Sequence, residues 1–349
     1  MQPPPIAKEQ RTKYKRRRPA CRENQDLFKM LQYGAENSNR IFAGRQDQPL
    51  GGAGITQMAA LIARCGWACY YQSYITRTQT RGTVREDGVN DLASMIANTK
   101  VDKGSLAIFW LGQAGFVYKT HAGTIMYVDA YLSDCVSRMV GAQFHGFKRI
   151  MPAPIRSEEV EADWVVCTHS HPDHFDYDAI PVLAKSERIR FIGAPDCRAE
   201  FEKLGIPAEK ITIIEEGTTI TCDDITLTGV YADHGELAPD ALGVVLQADG
   251  ITVWQVADTA YRPERWEGVC KMGVDVVIPP INGAFGNMDG VTAAKLANDC
   301  RAKIAIPCHY WMFAEHGGNP IEFLESCEKY APDVEPRLMA QGELLVYRT

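Results

Sequence analysis

Three imidazoles and a carboxylate fall within six consecutive residues, His169-Ser170-His171-Pro172-Asp173-His174, directly after the apolar run Trp164 to Thr168. Neutral imidazole nitrogen and carboxylate oxygen are donors that zinc, manganese and iron all accept. If the run is a strand, alternation sends His169 and His171 the same way. The turn at Pro172 and a helix opening near Asp176 then aim Asp173 and His174 at a neighbouring point. The spacing implies two adjacent cation pockets. A polar loop whose histidines only hydrogen-bond would account for one isolated His, but it accounts poorly for four donors in six positions.

Four donors do not complete two coordination spheres, so further ligands must arrive from other strand ends. His234 follows ITLTGVYAD, Asp258 follows ITVWQVA and His309 follows KIAIPC. Taken singly, each has an ordinary reading: a turn histidine, a capping carboxylate, a satisfied core imidazole. Together they match the missing donors in number and position.

The elements that must carry these donors begin at Ser105. From there LAIFWLG, GFVYKT, TIMYVDA, WVVCTH, IRFIGA, ITII, ITLTGVYA, GVVLQA, ITVWQVAD, DVVIPPI, KIAIPCH and ELLVYR read as strands. EEVEA, AIPVLAKSE, CRAEFEKLG, VTAAKLANDCRA and IEFLESCEKY read as helices. Early strands are joined by Gly-containing turns, as in an antiparallel meander, and later ones through helices. That order fits an α/β protein with mixed sheets covered by helices, and no internal repeat of fixed period is present. Upstream, Ile55 to Tyr71 and Val89 to Thr99 read as short helices, the second opened by Asn90 or Asp91.

The run T-H-S-H-P-D-H at 168 to 174 resembles the signature of the metallo-β-lactamase superfamily, and His234, Asp258-Thr259 and Pro307-Cys308-His309-Tyr310 resemble its later motifs in order. The similarity covers about residues 105 to 349. Within the superfamily, Phe109 to Gly115 (FWLGQAG), Phe191-Ile192-Gly193, Leu204 to Pro207, Gly290-Val291-Thr292 and Ile306 to His309 resemble the L-ascorbate-6-phosphate lactonase branch. The chain departs from that branch before Ser105, and Asp233 to Leu242 is shorter than its counterpart.

The resemblance implies an αββα sandwich of two mixed sheets flanked by helices. It implies two divalent cations: His169, His171 and His234 on the first, Asp173, His174 and His309 on the second, and Asp258 bridging. Paired cations lower the pKa of a shared water to give hydroxide near neutral pH and polarise the electrophile's oxygen. Asp173 would then orient that hydroxide and accept its proton. The organisation expected is a basic, poorly ordered N-terminal extension over 1-75, a linker with a short helix over 76-104, and the hydrolase domain over 105-349.

Composition narrows the function further. The formal charge is -7, yet residues 1 to 22 hold eight Lys and Arg against Glu9, so the body is strongly acidic. An acidic body argues against an extended nucleic-acid surface. Eleven scattered cysteines with no C-x-x-C pair, and no signal peptide, point to a reduced, cytoplasmic protein. Gly54 to Ile75 is interrupted by Gln57, Arg64, Gln72 and Ser73, so it falls short of the run of about 20 apolar residues a span needs. The expected partner is a small anionic substrate, with no membrane and with homo-oligomer formation left open.

Several other residues invite attention. Cys308 reads as a small packed residue at a strand end rather than a nucleophile. His121, His145 and His316 lack a partner at ligand spacing and read as surface or supporting residues, His145 being a candidate for the entrance. Tyr310 and Asn282 could donate to substrate. Arg262, Lys148 and Arg149 could meet a phosphate, though each reads first as a surface cation.

The leading expectation is therefore a lactonase opening a small phosphorylated sugar-acid lactone. The alternative is a phosphodiesterase or nuclease using the same metals, and the third reading is a non-catalytic sensor or scaffold.

Overall fold

The computed structural model describes residues 92–140 and 145–349, without the side chain of His145. The expected extension, the helix over Ile55 to Tyr71 and the capping residues Asn90 and Asp91 lie outside these residues. The first described element is helix α1, Leu92–Asn98, the described part of the helix expected over Val89 to Thr99. Lys119 Nζ donates to the carbonyls of Ile96 and Ala97 at its end, placing positive charge where the helix dipole is negative.

Fourteen described strands form two seven-stranded sheets. They are β1 (Ser105–Gly112), β2 (Gly115–Lys119), β3 (Ile125–Val128), β4 (Trp164–Cys167), β5 (Arg190–Gly193), β6 (Ile211–Ile213), β7 (Thr219–Cys222), β8 (Ile225–Tyr231), β9 (Leu242–Ala248), β10 (Ile251–Gln255), β11 (Val276–Ile278), β12 (Ile304–Ala305), β13 (Glu335–Pro336) and β14 (Leu344–Arg348). One sheet runs β14-β1-β2-β3-β4-β5-β6 and the other β13-β12-β11-β10-β9-β8-β7. In the first, β14 through β3 pair antiparallel and β3 through β6 parallel. In the second, β7 through β10 are antiparallel and β10 through β13 parallel.

The same succession of pairings thus occurs twice, with the C-terminal β14 supplying in one sheet the place that β7 fills in the other. β1, β2, β3, β4 and β10 are buried at every position, as befits strands covered on both faces. A single apolar cluster draws side chains from both sheets. Inside it, Tyr118 donates from its hydroxyl to Gln255 Oε1 (2.8 Å), and Gln255 Nε2 donates to the Ala114 carbonyl (2.7 Å).

The expected α/β sandwich of two mixed sheets is the fold observed. Every strand read from the apolar runs is present, while β7 and β13 escaped notice. β7 alternates Thr with Ile and Cys, and β13 is a two-residue Glu-Pro pair, so neither makes an apolar run. EEVEA is not an α-helix: only the 3₁₀ turn Ser157–Glu159 forms before the chain extends at Val160.

The helices that follow are α2 (Cys135–Val140), α3 (Ala179–Leu183), α4 (Cys197–Lys203), α5 (Glu267–Cys270), α6 (Gly290–Asp299) and α7 (Pro320–Tyr330). The longer two have full N-caps. Asp289 and Thr292 form a reciprocal capping box on α6, and Asn319 Oδ1 accepts from Ile321 and Glu322 on α7. No described helix is long and apolar enough to cross a membrane.

Candidate metal centre

Four strand ends lead into the loops that matter: β4 and β12 pair in parallel, β10 stands where antiparallel pairing gives way to parallel, and β8 is antiparallel to both neighbours. β4 delivers His169 to His174, β8 leads to His234, β10 to Asp258 and β12 to His309. The structure brings all seven residues to one place and buries six of them, with His171 part-exposed.

The loop after β4 is fixed by carboxylates that are not among the seven. Asp129, ending β3, accepts from the Thr168 amide (2.8 Å) and hydroxyl (2.7 Å), and its Oδ2 faces His174 Nδ1 at 2.9 Å. Asp196 Oδ2 accepts from the Ser170 amide at 2.9 Å. Asp176 Oδ1 accepts from the amides of Asp178 and Ala179, setting the start of α3, and Oδ2 from those of Leu132 and Ser133. The turn seen at Pro172 is closed by the His174 and Phe175 amides donating to the His171 carbonyl. With its Nδ1 held by Asp129, His174 turns Nε2 inward, the orientation a ligating imidazole requires.

The inward atoms form two groups that meet at Asp258. His169, His171 and His234 offer nitrogens within 4.8 Å of one another, and the sets His169, His174 and Asp258, and Asp173, His309 and His316, offer imidazole nitrogens and a carboxylate oxygen at the same spacing. His169 Nε2 lies 3.0 Å from His171 Nδ1. Asp258 Oδ2 is 3.7 Å from His234 Nε2, whereas Oδ1 is 3.1 Å from His309 Nε2 and 3.3 Å from His174 Nε2. One carboxylate therefore faces both groups.

These residues fit a cation better than they fit one another. Although two imidazole nitrogens approach it, Asp258 Oδ1 is sealed from solvent without a geometrically acceptable hydrogen bond. His309 Nε2 has four polar neighbours within 3.3 Å: Gln113 Nε2, His174 Nε2, Asp173 Oδ2 and Asp258 Oδ1. One ring nitrogen has at most one hydrogen to share among them. Imidazole and carboxylate are also the donor set that zinc, manganese and iron share.

Charge is correspondingly redistributed. Burial pushes His169 and His234 toward the neutral form that ligates. Burial also opposes protonation of His174 and His309, but Asp258 outweighs it with Asp129 and Asp173, so His174 lies well above its usual range and His309 rises to about 9. Burial would raise Asp173 and Asp258, yet the surrounding imidazoles hold both well below the ordinary carboxylate range.

Two supporting residues were missed from sequence, and a third was left between a surface and a supporting role. Asp129, within TIMYVDA, gives the same signal as Asp258, a carboxylate just past an apolar strand, and that signal was available. Gln113 sits in a glycine-rich turn that gives no hint of its side chain. His316, read as a surface or supporting residue, is 7% exposed and stacks on His309, their ring centroids 4.7 Å apart. A loop position far from any strand end conceals that.

Arg149 is no surface cation: it is buried, lies over the Tyr131 ring and donates to the carbonyls of Met151, Tyr131 and Ser133. Arg262 is exposed and bonded to Asp233, next to His234. Lys148 is exposed and His121 pairs with Asp249 on the surface. The side chain of His145 lies outside the described residues. Cys308 is buried, and burial first among its causes raises its thiol well above the usual value; it is a packed residue, as expected. Asn282 and Tyr310 are buried, Tyr310 next to His309 in the chain and stacked on Trp110.

Residues 126–310 match the family described as "Beta-lactamase superfamily domain". The chain is 24% identical over 238 residues to a UPF0173 metal-dependent hydrolase of Hyperthermus butylicus, covering 67% of this chain and 96% of that one. Among solved structures it is similar to Igni18, a metallo hydrolase of Ignicoccus hospitalis, with a TM-score of 0.55 and 19% identity over 70% of this chain and 99% of the other. It is also similar to an isothiocyanate hydrolase from Delia radicum gut bacteria, with a TM-score of 0.58 and 17% identity over 69% of this chain and 99% of the other. At such identities the two structures speak for the fold alone.

Proposed function

This chain belongs to the metallo-β-lactamase superfamily of metal-dependent hydrolases, and on that premise we propose that it opens a small carboxylic ester, specifically a lactone. The observation that carries the reading is Asp258, whose two oxygens face two separate groups of imidazoles. His169, His171 and His234 would hold one divalent cation; Asp173, His174 and His309 would hold the second, with Asp258 shared. When bound, such cations supply Lewis acidity toward a carbonyl oxygen and acidify water.

The chain's own residues would do the rest. Asp173 is ionised and buried, so its carboxylate is available to orient an attacking water and take its proton. Asp129 keeps His174 pointing inward. Cys308, held as a thiol by burial, stays out of the reaction.

A phosphorylated sugar-acid lactone is the finer form of the proposal, supported by the branch-like segments. Arg149 is committed to three carbonyls and Arg262 to Asp233 and the Tyr261 carbonyl, so of the three cations Lys148 would meet the substrate's phosphate.

The test is a panel of phosphorylated and unphosphorylated lactones, simple esters and bis(p-nitrophenyl) phosphate, assayed with the metal-loaded protein. Lactone opening abolished by chelation and by His171→Ala is expected. Efficient phosphodiester cleavage with inert lactones would replace this reading by the phosphodiesterase one.

A further inference from the structure

The seven clustered residues do not explain the side chains packed against His309 from the other direction. Gln113, fully buried, occupies a left-handed turn between β1 and β2 (φ 52°). Its carbonyl accepts from the His309 amide at 3.0 Å and from Trp110 Nε1 at 3.1 Å. Its side-chain Nε2 lies 2.7 Å from Asp173 Oδ2, 3.0 Å from His316 Nδ1 and 3.0 Å from His309 Nε2.

An amide nitrogen carries two hydrogens. Asp173 Oδ2 takes one. The other goes to His316 Nδ1, provided that imidazole keeps its own proton on Nε2. His309 Nε2 is then left facing Asp173 and Asp258. His316 is itself confined: its ring lies at 14° to that of His309 and packs against Phe147, Phe285 and Phe313 at 5.8, 5.4 and 4.8 Å. Although one of its ring nitrogens falls within 4.8 Å of ligand atoms of Asp173 and His309, its ring is stacked on that of His309 and its Nδ1 is taken up by the Gln113 amide. It supports the site and does not ligate.

We infer that Gln113 and His316 are a positioning pair for the cation on the Asp173–His309 side, the amide fixing the Asp173 carboxylate while His316 fixes the amide. This rests on the two-cation reading above. The His169–His171–His234 side has no contact with either residue among the hydrogen bonds and ring contacts described. The pair therefore makes the two cations unequal in their dependence on it.

The test uses the full chain stripped of metal and titrated with cobalt(II), followed by calorimetry and visible absorption. Gln113→Leu removes the amide. His316→Phe keeps a ring to stack and removes the acceptor; His316→Asn keeps an acceptor near the Nδ1 position and removes the stack. Gln113→Leu and His316→Phe are expected to weaken one cobalt step by about 10–100-fold, to alter that step's absorption, and to leave the other step intact. His316→Asn is expected to stay close to the wild type. Unchanged titrations in Gln113→Leu and His316→Phe would overturn the inference, as would equal weakening of both steps or a His316→Asn variant as impaired as His316→Phe. A wild-type chain that takes up no cobalt would instead remove the two-cation reading, and this inference with it.

Discussion

At the scale of single residues, the site is defined by protons held where cations would sit. His309, raised from its ordinary 6.5 to about 9, and His174, raised well above that ordinary value, are protonated at pH 7 in the metal-free protein. Cation uptake at pH 7 should therefore release protons, seen as a dependence of the calorimetric heat on the ionisation enthalpy of the buffer. The sign for stability follows from linkage. A raised folded-state value contributes stability present in full below about 6.5 and lost as pH rises through about 9. The melting temperature of the metal-free protein should fall between pH 7 and pH 10 more steeply than that of the loaded protein. Asp129 supports a second expectation. Asp129→Ala frees His174 Nδ1 and the Thr168 hydroxyl, and cation affinity should drop about 10–100-fold, read by competition with a chelator. The positions of the seven donors were legible because each lies at or just past a strand that the apolar pattern marks. Gln113 and His316 were not, because a side-chain amide in a turn and an imidazole in a loop acquire meaning only from neighbours distant in the chain.

At the scale of elements, strands were easier to read than helices. The buried strands are mostly apolar, so a run of Val, Ile, Phe and Trp marks them directly, whereas β7 and β13 lack such a run. Helix ends depended on caps that only the structure identifies. Asn319 accepts from two amides at the start of α7, so Asn319→Ala should cost about 0.5–2 kcal/mol, measured by denaturant melting. Helices α6 and α7 approach closely at Gly290, where an added Cβ would lie 2.7 Å from the Phe323 amide nitrogen and 3.0 Å from its Cα. Backbone cannot give way as a flexible side chain can, so Gly290→Ala should destabilise more than Asn319→Ala does, by pushing α6 from α7. His309 shows how an element boundary serves the site: its left-handed backbone (φ 60°) is costly for a residue other than glycine, and the Gln113 carbonyl holds its amide in place.

For the molecule as a whole, two sheets of matching pairing order bring strand ends to one centre, β4 from the first sheet and β8, β10 and β12 from the second. The fold class was legible because the order of turns and helical connections distinguishes antiparallel from parallel pairing. The twofold likeness of the sheets was not, because β14 enters the first sheet from the far end of the chain. We propose that residues 1-75 are an extension dispensable to the centre; a chain starting at residue 76 should bind cations and turn over substrate as the full chain does, with a large loss of either counting against this division. The pairing of β14 with β1, from Ser105↔Arg348 to Phe109↔Leu344, carries one further consequence, for synthesis. At roughly 5–20 residues per second, a nascent β1 emerges from the ribosome on the order of tens of seconds before its last partner exists. Throughout that interval a largely apolar strand has an open edge, the geometry that recruits other chains. The protein should thus depend on chaperones during translation far more than during refolding from denaturant, where both ends are present from the start.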